Sequence, residues 1–499
     1  MKLAFYLPLI LLGIYSRAQH QHNMTMSDSS MKNMPTQRPV SRKTPTKNAG
    51  IRINMSRHQQ PVMSDTTKPV MKMNMHHDTS MHGMNDTTKH GMNMGQMNMS
   101  MSHSFSRNLP MSRDGSGTSW MPDASPMYMY MAMKDKSTFM FHGNIFLRYT
   151  KQDVFNNGSR GGHHFDAPNW FMGMYNRYVG TKGLLSATAM MSFDPLLVTQ
   201  AGYPLLFQSG ESYKGKKLVD RQHPHDLFSG LSIAYTQMLN KDADVFVYFG
   251  YPGEPALGPP TFMHRISAMN DPDAPLGHHW QDATHISFGV GILGFRYRKL
   301  KLEGSIFTGR EPDENRYDFD KMRFDSYSYR LSFNPSENWA LQFSQGFIHS
   351  PELLEPELDV TRTTISIIHS TWLNQHDRYL AQTFVWGLNH SSDGHNEHSA
   401  LYEANLQLSR QVVYGRYEFV EKSADELDLE SAFGVTNFTI NAFTLGYNRT
   451  ICSLRYVQLA AGAQATINFS PRALQDLYGK MPTAAQVYMQ LKPNLHRHE

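Results

Sequence analysis

The chain has only one cysteine, Cys452, among its 499 residues. A single thiol cannot form an internal disulfide, so no disulfide framework supports the fold. It also excludes the multi-cysteine zinc and iron–sulfur sites of small metal-binding domains. The net charge is low as well: 47 Lys and Arg against 43 Asp and Glu give +4, which is too small to indicate a nucleic-acid partner.

Long hydrophobic runs are also scarce. The stretch at residues 3–15 follows Lys2 and is shorter than the roughly 20 residues that a transmembrane helix needs. Ser16 and Ala18 supply the small residues of a cleavage site, so we predict a signal peptide over residues 1–18. An exported chain that lacks long apolar runs but is 12% aromatic is typical of an outer-membrane β-barrel or a large secreted β protein.

Large aliphatic side chains are almost absent from residues 19–110. Such a segment cannot offset the entropy of ordering, so we predict a disordered tail. Its middle, MKMNMHHDTSMHGMNDTTKHGMNMGQMNMSM, is rich in methionine and histidine instead. Thioethers on a flexible chain can gather around a soft cation, and imidazoles also accept Cu²⁺; low-complexity drift is the alternative. The candidate ligands for copper (Cu⁺ or Cu²⁺) or silver ions in the tail are Met71, Met73, Met75, His76, His77, Met81, His82, Met84, His90, Met92, Met94, Met97 and Met99.

From residue 138 apolar and polar residues alternate in short segments. In FMFHGNIFLRY, Phe139, Phe141 and Leu147 share one face, whereas Met140 and Arg148 share the other. Alternation with a period of two separates the lipid and water faces of a membrane barrel. Candidate strands lie near 138–150, 168–179, 183–193, 227–239, 243–251, 284–297, 300–308, 325–334, 338–348, 361–373, 378–388, 399–409, 411–421, 435–447, 453–468 and 484–492.

The links between these strands alternate between short turns, such as NKDA and SRQ, and long polar loops. This asymmetry is typical of bacterial outer-membrane barrels. We therefore predict an all-β fold: a transmembrane antiparallel β-barrel of about 16 strands over 138–492, with a lead-in segment over 111–137 and a C-terminal tail over 493–499. Two strands change phase midway, THISFGVGILGFRYR and TTISIIHSTWL, which indicates a bulge or a miscounted strand. A water-soluble β-sandwich or propeller is the alternative.

Histidine and aspartate recur in the two longest loops, within LVDRQHPHDL, PTFMHRISAM and GHHWQDATH. Both loops leave the same rim, so their side chains could assemble one site for Zn, Cu or Ni. The alternative is that these histidines order the loops through hydrogen bonds. The candidate metal ligands of the loops are His223, His225, Asp226, His264, His278, His279, Asp282 and His285.

Two resemblances bear on function. The tail is similar in composition to the Met- and His-rich tails of copper-resistance B-type outer-membrane proteins. The phrases SGTSWMPDASPM, GYPLLFQSGESY, LVDRQHPHDL, GEPALGPPTFMHR and HHWQDATHISFG, within residues 115–290, resemble an uncharacterised family of Gram-negative outer-membrane β-barrel proteins associated with heavy-metal efflux. The resemblance implies an outer-membrane location and a metal-related role.

We therefore expect an outer-membrane barrel that binds copper or silver ions and either passes or retains them. Its expected role is in metal resistance or homeostasis, and it is not expected to be an enzyme. Its expected partners are outer-membrane lipid, metal ions and periplasmic metal-efflux components, with the tail in the periplasm and no nucleic acid. Two alternatives stay open: a structural barrel without transport, and a hydrolase. GLNHSSDGHNEH resembles the H-x-S-[ND]-G pattern of outer-membrane phospholipases, with His390 as base and Ser392 as nucleophile.

Overall fold

The computed structural model describes residues 102–374 and 377–496. The predicted signal peptide and all thirteen tail residues predicted to bind copper or silver lie outside the described residues.

Sixteen antiparallel strands form one closed β-barrel, in which each strand pairs with the next and the last pairs with the first. This confirms the predicted fold class and strand number. The barrel strands are β1 (Ser137–Gln152), β2 (Asn169–Val179), β3 (Gly183–Met191), β4 (Phe228–Met238), β5 (Ala243–Gly250), β6 (Val290–Tyr297), β7 (Leu300–Phe307), β8 (Ser326–Ser336), β9 (Trp339–Ile348), β10 (Val360–Trp372), β11 (Arg378–Ser391), β12 (Asn396–Leu408), β13 (Gln411–Ser423), β14 (Asn437–Ser453), β15 (Val457–Phe469) and β16 (Thr483–Pro493).

The two segments with a change of phase have different explanations. Strand β6 begins at Val290, not near residue 284, because Ala283–His285 form a 3-10 turn and the residues up to Gly289 are a buried loop. Strand β10 is regular throughout and pairs with both neighbours without a register shift. Its Ile368 faces inward and packs in an apolar cluster with Ile266, which explains the apparent loss of alternation.

The outer surface of the barrel is apolar. Side chains such as Phe141, Val247, Leu293 and Leu445 are more than 50% exposed on the strands. The inward positions between them carry polar and charged groups, so the wall has the face pattern of a transmembrane barrel. Within residues 102–374 and 377–496, none of the helices has the length and apolar character needed to cross a membrane.

The lumen is filled by three parts of the chain. These are the N-terminal segment (residues 102–129), loop L2 (residues 192–227) and loop L3 (residues 251–289). L3 contacts wall strands on different sides: Arg265 binds Glu403 on β12, and Asp273 binds Arg148 on β1 at 2.7 Å. These contacts place L3 inside the barrel.

The N-terminal segment also runs inside. Thr118 Oγ1 accepts a hydrogen bond from Arg330 of β8 at 2.7 Å, and Tyr128 bonds to Tyr379 of β11 at 2.9 Å. Residues 102–106, which were predicted to belong to the disordered tail, are buried here as well. Phe105 explains the difference, because it packs on Phe246 of the wall at a ring distance of 5.3 Å.

Shorter elements complete the structure. The short strands Tyr130–Lys134 and Gly162–Asp166 each pair with one end of β1. Other short strands are Tyr203–Pro204, Ser212–Tyr213, Lys216–Lys217 and Arg221–Gln222; single α-helical turns are Asp194–Leu197, His278–Gln281, Glu430–Phe433 and Gln475–Tyr478; 3-10 turns are Met111–Arg113, Phe262–His264, Ala283–His285 and Arg472–Leu474.

Candidate metal centre

Five histidines from L2 and L3 meet near the long-loop end of the lumen. His223 and His225 flank Pro224, just after the short strand Arg221–Gln222, while His278 and His279 begin a single helical turn. His285 ends the 3-10 turn that follows. We call these five side chains the histidine cluster.

The rings of the histidine cluster form a continuous chain of contacts. His278 lies 5.3 Å from His279 and 5.2 Å from His285, measured between ring centroids. His223 lies 5.5 Å from His279, and His225 lies 5.5 Å from His285. Histidines that are more than fifty residues apart in the chain therefore have their rings in contact.

Each ring is held by its Nδ1 atom. A carboxylate oxygen lies near Nδ1 in four rings: Glu211 at 3.0 Å from His223, Asp194 at 2.9 Å from His225, Asp282 at 2.5 Å from His278, and Glu311 at 3.3 Å from His279. In the fifth, Nδ1 of His285 lies 3.0 Å from the carbonyl oxygen of Asp282.

The opposite ring nitrogen is without a hydrogen-bond partner in all five. The Nε2 atoms of His223, His225, His278, His279 and His285 are buried, and within the described residues none has a hydrogen-bond partner. A buried polar atom without a partner is rare and costly, so five in one cluster require an explanation. Metal-ligating histidines have this arrangement: Nδ1 donates to a carboxylate or carbonyl, and Nε2 is free for the ion.

The cluster is wider than a closed mononuclear site. Ligands on one tetrahedral zinc at 2.0–2.1 Å lie roughly 3.4 Å apart. Among the described residues, the one trio of His, Cys, Asp or Glu whose ligand atoms all lie within 4.8 Å of one another is Asp313, Asp318 and Asp320, which are mostly exposed. Three rings of the cluster can therefore reach one ion only after their side chains turn toward it.

The electrostatic environment keeps most of these rings neutral. Burial, reinforced by the charges of neighbouring rings, lowers the pKa of His223 and His285 well below the usual value. Burial also lowers the pKa of His278, although Asp282 opposes the shift. His279 differs: burial would lower its pKa, but Glu311, Glu426 and Glu211 together outweigh burial and raise it. Neutral imidazole is the form that binds metal.

Buried ion pairs fix the loops that carry the cluster. Arg265 of L3 binds Asp282 at 2.8 Å and Glu403 of the wall at 2.6 Å. Arg316 binds Glu211 and also lies 3.4 Å from Asp226. The carboxylates that orient His278 and His223 are therefore themselves held by arginines, which restricts the rotation of both rings.

One glycine lets L2 approach the cluster. Gly210 has a φ of +101°, and a Cβ atom at this position would lie 2.4 Å from the ring of His279. Glycine adopts this conformation at no steric cost and leaves room for the ring.

Two of the predicted loop ligands lie elsewhere. Of the six loop histidines, His264 is not in the cluster; its ring packs on Trp170 at 4.6 Å. Asp226 pairs with Arg316, so its side chain stabilises the loop and holds no ring. Three carboxylates that do hold rings, Asp194, Glu211 and Glu311, were not among the predicted residues, because nothing in the sequence marks them as neighbours of histidine.

An acidic cavity leads from the cluster toward the long-loop end. It has a volume of about 300 Å³, and both His279 and Glu311 are part of its wall. We call it the acidic vestibule; its other acidic lining residues are Glu352, Glu355, Asp393, Glu397, Asp425, Glu426 and Glu430. Arg362 also lines the cavity, but carboxylates predominate, and a cleft dominated by one sign of charge concentrates ions of the opposite sign.

The predicted hydrolase pair has other partners. Nδ1 of His390 lies 2.9 Å from Oδ1 of Asn396, and Ser392 Oγ accepts a hydrogen bond from the backbone N–H of Asp359 at 3.0 Å. Among the described residues, no hydrogen bond joins His390 to Ser392. The geometry gives no support to the nucleophile–base pairing that the motif suggested.

Comparisons with known proteins concern the fold. No family model and no curated protein matches the chain. Similar solved structures include OmpF of Salmonella typhi in complex with daunomycin, with a TM-score of 0.43 and 9% identity over 72% of this chain and 100% of that chain. An anion-selective porin from Comamonas acidovorans has a TM-score of 0.40 and 9% identity over 71% of this chain and 99% of that chain. The outer-membrane channel DcaP of Acinetobacter baumannii has a TM-score of 0.41 and 9% identity over 73% of this chain and 99% of that chain. Likeness at this level leaves the bound or transported species to be argued from the residues of this chain.

Proposed function

We propose that this chain is an outer-membrane barrel that binds copper ions inside its lumen, with the histidine cluster as the principal site for the divalent ion. One observation carries the proposal: within the described residues the five Nε2 atoms of the cluster are buried without hydrogen-bond partners, while every Nδ1 is held by an oxygen. Imidazole nitrogen suits Cu²⁺, Zn²⁺ and Ni²⁺.

Copper fits best among these metals because the chain offers two kinds of ligand. Cu²⁺ accepts imidazole, and Cu⁺ prefers thioether sulfur. The tail residues Met71 to Met99 would then capture the monovalent ion, as the sequence predicts. In outer-membrane barrels the short turns face the periplasm. The tail precedes the first strand at that end, so it would lie in the periplasm.

The route of the ion follows from the cavities. The acidic vestibule opens at the long-loop end and reaches His279, which would attract a cation from outside or release one to it. A smaller cavity of about 50 Å³ touches His225 on the other side of the cluster. Between its cavities the lumen is packed with charged and apolar side chains, so ions would pass by transfer between ligands, not by diffusion through an open pore.

Metal analysis of cluster variants tests the proposal. The double variant His223→Ala/His278→Ala should lose at least one tightly bound Cu²⁺ or Zn²⁺ per chain, because each of these rings lies within 6.3 Å of three other rings of the cluster. The measurement is metal content by mass spectrometry after dialysis of the purified full-length protein. The double variant His163→Ala/His349→Ala is the matched control, since both rings are exposed and neither belongs to the cluster or lines the acidic vestibule. Equal metal content in the two variants, with both barrels folded, would contradict the proposal.

The pH dependence of metal retention gives a separate test. An ordinary imidazole has a pKa of about 6.5 and is about nine-tenths protonated at pH 5.5. Burial lowers the pKa of His223, His278 and His285, so these rings stay neutral at lower pH and protons compete less with the metal. Bound Zn²⁺ should therefore remain largely in place at pH 5.5, measured by dialysis against buffers from pH 8 to 5. Release with a midpoint at or above pH 6.5 would indicate exposed, ordinary ligands.

A further inference from the structure

A third cavity, of about 100 Å³, has more methionines in its lining than any other residue type. It lies between the N-terminal segment, strands β1 and β2, and loop L3. Met111 and Met129 come from the N-terminal segment, Met140 from β1, and Met172 and Met174 from β2. We call it the methionine cavity.

Packing alone does not account for this composition. Nine methionines line the cavity, whereas Ile266 is the one Leu, Ile or Val among the lining residues. The apolar cluster around Phe207 and Trp280 has sixteen buried members and no methionine in the described part of the chain. Methionine usually fills irregular gaps among other apolar residues, and a core that only had to be filled would use Leu, Ile and Val as that cluster does.

Two imidazoles complete the lining. The Nε2 atom of His142 is buried and has no hydrogen-bond partner within the described residues, while the ring also bonds to the backbone of Tyr128. His264, which stays outside the histidine cluster, faces this cavity instead, with its ring on Trp170. Thioether sulfur with a small number of imidazoles is a ligand set for a soft cation.

Two groups of opposite charge lie at the edge of the cavity. Lys492 lines one side, with Nζ 3.5 Å from the sulfur of Met269 and 2.7 Å from Oδ1 of Asn270. Asp114 lines another side. An ammonium group repels a divalent ion twice as strongly as a monovalent one, and a carboxylate attracts it twice as strongly, so the preference for a soft ion rests on the thioether ligands.

The methionine cavity lies next to the cavity that touches the histidine cluster. Met263 and Trp170 line both the methionine cavity and the 50 Å³ cavity that includes His225. From these observations we infer that the methionine cavity is a separate metal site that binds Cu⁺ or Ag⁺ through thioether sulfur. The inference rests on residues outside the histidine cluster and does not depend on metal binding there.

Silver binding by the full-length protein tests the inference, since Ag⁺ is soft and does not change its oxidation state in air. The triple variant Met129→Leu/Met140→Leu/Met174→Leu should retain one fewer Ag⁺ per chain after dialysis than the unmodified protein. Leucine conserves the volume, so the fold should tolerate the change. The control Met133→Leu/Met481→Leu/Met489→Leu changes exposed methionines and should retain the full amount. The methionines of the tail are identical in all three proteins and contribute a constant background.

Zinc binding measured on the same samples separates this inference from the proposed function. Unchanged Zn²⁺ with one Ag⁺ lost supports the methionine site. Equal Ag⁺ in the cavity variant and the control, with a folded barrel in both, would overturn it and leave the methionines as packing residues. If the triple variant does not fold, the single variants Met140→Leu and Met174→Leu decide in the same way, through the silver–sulfur signal in X-ray absorption. If the unmodified protein binds Ag⁺ but no Zn²⁺, the histidine cluster is refuted as a metal site and the methionine site is not.

Discussion

Replacing Arg265 with alanine is expected to lower the free energy of unfolding by about 3–5 kcal/mol, because it removes one partner from a buried ion network. The guanidinium group is fully buried and binds Glu403 at 2.6 Å, Asp282 at 2.8 Å and the carbonyl oxygen of Pro260 at 3.0 Å. Alanine would leave both carboxylates with less compensation inside the lumen. Denaturant-induced unfolding in detergent micelles measures the change.

Arg298→Ala is the matched control for this prediction. Arg298 also pairs with an aspartate, Asp242, but at 3.7 Å and with 64% of its side chain exposed. Exposed pairs contribute about 0–1 kcal/mol, so the control should differ little from the unmodified protein. Similar losses in the two variants would show that the Arg265 network does not anchor L3 to the wall.

Glu311→Gln is expected to weaken metal binding at the histidine cluster 10- to 100-fold, the usual effect of removing the group that orients a metal-ligating histidine. Glu311 Oε1 lies 3.3 Å from Nδ1 of His279. Glutamine keeps the shape of the side chain but removes the negative charge that raises the pKa of His279. The affinity is measured by competition with a chelator of known affinity for Zn²⁺.

Asp359→Asn tests whether such an effect is specific to the cluster. Asp359 holds Nδ1 of His349 at 2.7 Å, but this pair is well exposed and lies outside the cluster. Its replacement should leave the affinity for Zn²⁺ unchanged. An equal affinity in the Glu311 variant and the unmodified protein would mean that His279 does not ligate the ion.

The barrel was predictable because each strand carries its own signal. Alternation placed Phe141 outside and Arg148 inside, and both positions are confirmed. Exceptions arise where the lumen is filled: Phe146 breaks the pattern because it faces inward onto Tyr488, at a ring distance of 5.3 Å. Alternation of apolar and polar residues along a strand indicates a water-filled interior. It does not predict an interior that is packed with other parts of the chain.

The candidate sites were harder to foresee. The pairs His223 with His225 and His278 with His279 stand out in the sequence, but their common location depends on how L2 and L3 fold inside the barrel. The location of His264 outside the cluster depends on Trp170 of β2, on which its ring packs. The methionine cavity was also hard to foresee: two of its methionines belong to the run MYMYMAM at residues 127–133, but the other seven are spread from 111 to 269.

The closure of the ring also sets the order in which the molecule can be assembled. Residues 145–151 of β1 pair with 485–491 of β16, so the ring can close only after nearly the whole chain has been synthesised. The N-terminal segment and L3 lie within that ring and bind the strands on several sides. They must be inside, with their charges matched to the wall, before the two ends of the sheet join. The last step of biogenesis therefore closes the barrel around segments that are already in place. An insertion that enlarges one of the enclosed segments should block closure more than an insertion in an outer loop does.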